Sequence, residues 1–421
     1  MATLMSAKAV EEMPAVPAAR ALAGFVVAVR PEILDQEVWQ KIEICCLDLV
    51  AAAVTARNLP WARQALAWSV AVGARPECTL IGRAARTAAS EAAFVNAVAG
   101  HGLIREDMHV ASGSHIGVAV IPAALAAAER VGASGADFAC GVAAGYEIAG
   151  RLGRALIQPR FVQFFRPTGV TGPIGAAAAV ARILGLDVDR TTSAIAFAAN
   201  MTGGLNEWPR AGGEEIYLHA GMAARNGVLA AFLAAEGGNA SETVLDGPSG
   251  LFAAFETADN ATDMLTADLD KPREILAVFH KPTPGCNYAQ TPAQTALGLL
   301  QREGITGSDI ESVTIRTFAE ARDYPGCDHR GPYETTVQAK MSLQFAVAAV
   351  LAHGCIDAET FERRDDAETL RLAHRTTLSI EPTFQEAYPG RQGSEIVVNM
   401  RDGRTLTERQ DDLIPLSPTE V

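Results

Sequence analysis

Apolar residues in the first half of the chain recur three and four positions apart, the spacing that gathers them on one face of a helix. The pattern runs over 38–56, 90–100, 118–131, 137–156, 172–186 and 220–236, so helices are expected in each. Short polar or glycine-rich breaks punctuate them: Gly132-Ala133-Ser134-Gly135, Gly185-Leu186-Asp187 ahead of a start near Thr191-Thr192, and Gly237-Gly238 as a stop. Alanine and glycine fill these segments. Small side chains let helix backbones approach closely, which points to packed helical hairpins rather than a thin bundle with a leucine seam.

Beyond about Asp263 the period changes. Residues 311–318 alternate apolar and polar with β-branched side chains, as do 376–380 and 395–400, and Asp402-Gly403 lies between Val397-Val398 and Thr405-Leu406 as a hairpin turn. Helical spacing returns at 291–302, 337–353 and 358–361. The fold expected is mainly α: a large all-helical domain over 1–262, a smaller α+β domain over 263–393, and a C-terminal hairpin and tail over 394–421 that can pack on either.

Composition narrows the function. With 49% hydrophobic and 20% charged residues the chain folds around a sizeable core. Its longest apolar runs stop near a dozen residues, short of the roughly 20 that span a bilayer. Glu11 and Glu12 ahead of the apolar run 21–29 argue against a signal peptide. Seven cysteines without a CxxC pair suit reduced thiols in a cytoplasm. A net charge of -14 argues against nucleic acid and against an anionic membrane surface, yet leaves room for a small anion held by a few converging cations. No phosphate-binding P-loop, dinucleotide glycine motif, paired-histidine zinc helix or nucleophile elbow is present.

Four segments carry candidate chemistry. The loop 101–115 gathers His101, His109 and His115 with Glu106 and Asp107, polar groups able to converge on a ligand; its spacing lacks a tight metal template, and a solvated loop is the plain alternative. Tyr146 and Arg151 stand on a helix of small residues, about 140° apart around its axis, as cleft residues or as a core tyrosine and a helix-bound arginine. Arg166-Pro167-Thr168-Gly169 enters a helix, a plausible carboxylate cradle. Lys281 opens a second such loop, where it could pair an anion or transfer a proton, and Cys286 nearby reads as a small buried hydrophobe.

Together, the run from His115 to Glu129, Gly145-Tyr146-Glu147 with Arg151, Pro167-Thr168-Gly169 leading to Leu184-Gly185-Leu186-Asp187, His219-Ala220-Gly221 with Arg225-Asn226-Gly227, and Lys281-Pro282 through Cys286 resemble the MmgE/PrpD family. The resemblance covers about 92–354. It implies a homodimer without metal or other cofactor, a cleft between a helical and an α+β domain, and dehydration, decarboxylation or epimerisation of small carboxylic acids. It places the family's acidic pair on Glu106 and Asp107, its histidine on His115, its tyrosine and arginine on Tyr146 and Arg151, and its lysine on Lys281. Four positions depart: Arg166 stands for a histidine, Ile216 for a lysine, Met108 for a threonine and Phe345 for a tyrosine.

The reading that follows is a cofactor-independent hydro-lyase acting on a small hydroxy-polycarboxylate. His115, Tyr146, Lys281 and Asp107 are the expected catalytic groups, and Arg151, Arg166, Thr168 and Glu106 the expected substrate contacts. An isomerase using the same acid/base residues is the alternative, and a non-catalytic binding protein on the same scaffold a third.

Overall fold

In the computed structural model, which describes residues 16–421, the helical periodicity becomes a stack of long helices. Gln36–Ala56, Ala89–Gly100, Gly117–Val131, Gly135–Leu156, Pro167–Ile183 and Glu215–Ala235 match the six expected segments to within a few residues. Pro167–Ile183 is buried along nearly its whole length between Gly135–Leu156 and Glu215–Ala235. Glycine makes that closeness possible: a Cβ on Gly145 would lie 2.8 Å from the Gly175 carbonyl, and one on Gly175 would lie 2.8 Å from that of Gly145. Asp187 caps Val188–Ala199 by accepting from the Arg190 amide at 2.9 Å, so this helix begins ahead of Thr191. Ala18–Ala28 and Pro60–Val72 add two helices the spacing did not reveal. In the latter, Trp68, Val70 and Val72 are exposed, which blurs the apolar face.

The second domain holds a four-stranded sheet in the order Thr376–Ile380, Ile310–Thr317, Ser394–Met400, Thr405–Gln410. The first pair is parallel and the others antiparallel. Ser394–Met400 alternates buried and half-buried residues, as a sheet with one covered face requires. The hairpin 394–410 therefore completes the sheet of the second domain, while the Leu416 amide returns to the His280 carbonyl at 3.0 Å. The expected helix 337–353 is split into Thr336–Met341 and Leu343–His353, because the Ser342 hydroxyl caps a new helix by accepting from the Phe345 amide at 2.9 Å.

Strand pairing also occurs outside this sheet. Cys78–Thr79 pairs with Arg86–Thr87, and Met108–His109 pairs with Val278–Phe279. The second ribbon ties the 101–115 loop to the first part of the second domain. Among the described residues no helix is long and apolar enough to cross a membrane.

Candidate active site

His101 caps the end of Ala89–Gly100, and the chain then loops back to start the helix at Gly117. Within the loop Ile104 has φ +54°, a left-handed conformation that a β-branched residue adopts only under strain. That conformation presents its carbonyl to the Lys281 ammonium, which also donates to the Gly285 carbonyl at 3.1 Å.

Glu106 lies at the centre of a buried cluster. One of its carboxylate oxygens meets His101 Nδ1 and lies 3.2 Å from His115 Nδ1, and the two rings stand 5.1 Å apart. His115 Nδ1 is also 2.9 Å from the Asp107 carbonyl, which can only accept, so Nδ1 carries the proton and Nε2 keeps its lone pair. Burial first, and the Lys281 ammonium next, hold the His115 imidazole well below its ordinary 6.5 and therefore neutral. Its amide donates to the Thr168 hydroxyl at 3.0 Å, fixing the residue against the first turn of Pro167–Ile183.

Arg166 precedes that turn. Its guanidinium donates to His101 Nε2 and to the Ile216 carbonyl and stacks over Trp208 at 5.5 Å. Burial lowers it to about 10, so it remains a cation at neutral pH. His101, neutral because burial and the nearby Arg166 charge hold it well below 6.5, thus accepts from Arg166 and donates to Glu106.

His115, Arg166 and Thr168 line an inner cavity of about 90 Å³, bounded on the side of the second domain by Asn287, Tyr288, Tyr324 and Tyr388. Cys286 lines it too, its sulfur 3.7 Å from that of Cys327.

The other candidates lie elsewhere. The Tyr146 hydroxyl donates to the Asp107 carboxylate at 2.5 Å, and the other carboxylate oxygen takes the Gly117 amide at 3.1 Å. Both are buried behind His115 and neither lines the cavity, so here they position the histidine rather than reach a ligand. Arg151, expected to bind substrate, is turned away: it pairs with Glu147 at 2.6 Å and donates to the carbonyls of Ala267 and Asp268. The helix turn that separates it from Tyr146 aims it at 267–268. Lys281 is fully buried, lowered by burial to about 8 with the Glu106 charge opposing, and does not line the cavity. His109 leaves the cluster for Glu274, 3.1 Å away.

Of the four departures, Met108 and Ile216 line the cavity, whereas Phe345 packs against Tyr333 and Phe361 in the core. His101, Glu106 and His115 offer ligand atoms within 4.8 Å of one another, close enough to hold a metal. A dication there would face Arg166 and Lys281, so the surroundings suit an anion better. Unsignalled in the sequence were His101 as the link to Arg166, Tyr324 and Tyr388 at the cavity, and Lys340. The Lys340 ammonium donates to the Gly102 carbonyl at 2.9 Å and lies 3.3 Å from the Tyr217 hydroxyl.

The family model for the MmgE/PrpD N-terminal domain matches residues 20–263, and that for the MmgE/PrpD C-terminal domain matches 284–414. The chain belongs to the MmgE/PrpD family. It is 28% identical over 413 residues to the cis-aconitate decarboxylase-like protein oryM of Aspergillus oryzae, covering 92% of this chain and 84% of that protein. It is 28% identical over 344 residues to the cis-aconitate decarboxylase of Mus musculus, covering 76% and 66%, so the chain spans just under two thirds of that relative. To the cis-aconitate decarboxylase of Aspergillus terreus it is 23% identical over 398 residues, with 89% and 81% covered. These MmgE/PrpD relatives are named as enzymes of lyase type, and the two matched domains flank the cavity.

Proposed function

We propose that this MmgE/PrpD protein is a lyase that transfers a proton at a carbon next to a carboxylate, His115 moving the proton and Arg166 holding the carboxylate, with no metal taking part. One observation carries the reading: a neutral imidazole with Nδ1 fixed by a carbonyl lines the same small cavity as a buried guanidinium. Removing such a proton leaves an enolate-like dianion, and the barrier falls only where fixed positive charge meets it. Arg166 supplies that charge at the cavity, and the Lys281 ammonium, whose charge is felt at His115, adds to it.

A neutral His115 is set to accept a proton, which favours abstraction followed by loss of water from a hydroxy acid. Decarboxylation is the second reading, favoured by the names of the relatives. It requires His115 to deliver a proton, and a bound anion beside the ring would support that by raising its affinity for one.

Turnover of candidate acids in heavy water tests the proposal. Alkene absorbance without released CO₂ is the expected result, and CO₂ release would select the second reading. Deuterium in recovered substrate of inverted configuration, with neither product, would instead make the protein an epimerase. EDTA dialysis is expected to leave the rate unchanged, and stoichiometric metal with EDTA-sensitive turnover would overturn the metal-free mechanism.

A further inference from the structure

The cavity at His115 and Arg166 does not end at its inner wall. Val110, Ile157, Val162, Tyr288, Tyr324 and Tyr388 line both it and an outer cleft of about 520 Å³, so the two adjoin along these side chains. Among the described residues lining the inner cavity, Arg166 is the one Lys or Arg. In the outer cleft Arg210 is outnumbered by Glu320 and Asp323.

The tyrosine hydroxyls each have a polar neighbour already. Those of Tyr288 and Tyr388 lie 3.3 Å from each other, and that of Tyr324 accepts from the Asn206 amide at 3.2 Å. The Tyr388 ring stacks on Phe318 at 4.4 Å, and Tyr288 meets Phe318 and Tyr324 edge-on. A second or third carboxylate reaching outward would lose its water and meet no cation before an acidic rim. A methylene chain would instead exchange water for aliphatic and aromatic surface, each buried CH₂ multiplying affinity about fourfold.

We propose that the site takes a carboxylic acid bearing an alkyl chain, its carboxylate at Arg166 and its chain running outward past the tyrosines. At the head group, the Asn287 side-chain oxygen is buried without a partner and accepts from a substrate hydroxyl. The proposal rests on the lyase reading only for the placement of the carboxylate.

Calorimetric titration of the full chain with succinate, 2-methylsuccinate, 2-pentylsuccinate and propane-1,2,3-tricarboxylate tests it. Affinity is expected to rise at least about 50-fold from methyl to pentyl, with the tricarboxylate weaker than the pentyl acid. Ala319→Asp puts a charge at the outer cleft and is expected to abolish the pentyl gain while leaving succinate binding unchanged. No gain with chain length, or tighter binding of the tricarboxylate, overturns the proposal. If the gain is present but Arg166→Ala binds every acid as tightly as wild type, the chain site stands and the carboxylate reading falls. If none of the acids binds, both fall.

Discussion

Arg166 concentrates the chemistry of the site in one side chain. It stands where the resemblance expects a histidine, and its guanidinium reaches the backbone of Ile216, where the resemblance expects a lysine. Two departures that looked independent in the sequence are therefore neighbours, and a cation has moved from one side of the contact to the other. A guanidinium cannot readily replace an imidazole in proton transfer, but its fork suits a carboxylate. Arg166→Lys is expected to weaken substrate or product-analogue binding about tenfold by losing the second donor, and Arg166→Ala to weaken it further; unchanged affinity in Arg166→Ala would remove it from the carboxylate. His115→Ala is expected to cut turnover to below about a tenth of wild type with little change in melting temperature. Because its pKa is depressed, the His115 base form persists below pH 6.5, so kcat/KM should hold level through neutral pH and fall only in more acid solution. At this scale the cavity-lining His115, Arg166 and Thr168 were legible, since each lies in a short polar segment between apolar helices, whereas Glu106, expected as a substrate contact, is buried against the His101 and His115 rings and does not line the cavity. Tyr324 and Tyr388 carried no local signal, because only the closure of one domain on the other brings them to the cavity.

The loop 101–115 works as an element because it is clamped at its middle and where it enters the next helix. At its middle Met108–His109 pairs with Val278–Phe279; beyond its end Gly117 starts a helix directly against the Tyr146 hydroxyl and the Asp107 carboxylate. A Cβ on Gly117 would lie 2.3 Å from that hydroxyl and 2.9 Å from both carboxylate oxygens. Gly117→Ala is thus expected to destabilise the protein by about 1–3 kcal/mol, as overpacking of a filled core does. Combining it with Tyr146→Phe removes the nearest clashing atom and should recover part of the loss, measured as a double-mutant cycle in denaturant. Equal and additive losses would mean that the loop yields instead. Helix and strand identities were legible because apolar periodicity survives in single segments. The Met108–His109 ribbon was not, since two-residue strands have no period to read and their partner is far away in sequence.

Across the whole molecule, the second domain is fastened to the helical one by buried ammonium groups. Lys281 donates to the carbonyl of Ile104 and Lys340 to that of Gly102, two residues apart on the same loop, with Lys340 also 4.8 Å from the Trp61 ring. Neither lysine was recognisable as a fastening from sequence, because their acceptors are backbone oxygens that exist only once the loop is folded. Burial lowers Lys340 from 10.5 to about 7, with Lys281 adding to the shift and Glu362 and Glu106 opposing it. Above pH 7 the folded protein then holds fewer protons on this group than the unfolded chain, so stability rises with pH up to about 10 and is lost as pH falls through 7. Lys281, lowered to about 8, contributes in the same direction over the upper part of that window. Lys340→Met keeps the stem and removes the charge. It is expected to flatten the rise of unfolding free energy between pH 7 and 10, with its largest relative gain at pH 6, where wild type must bury a cation. Parallel wild-type and variant curves across pH 6 to 10 would show that Lys340 keeps its ordinary pKa and stays charged through the whole window.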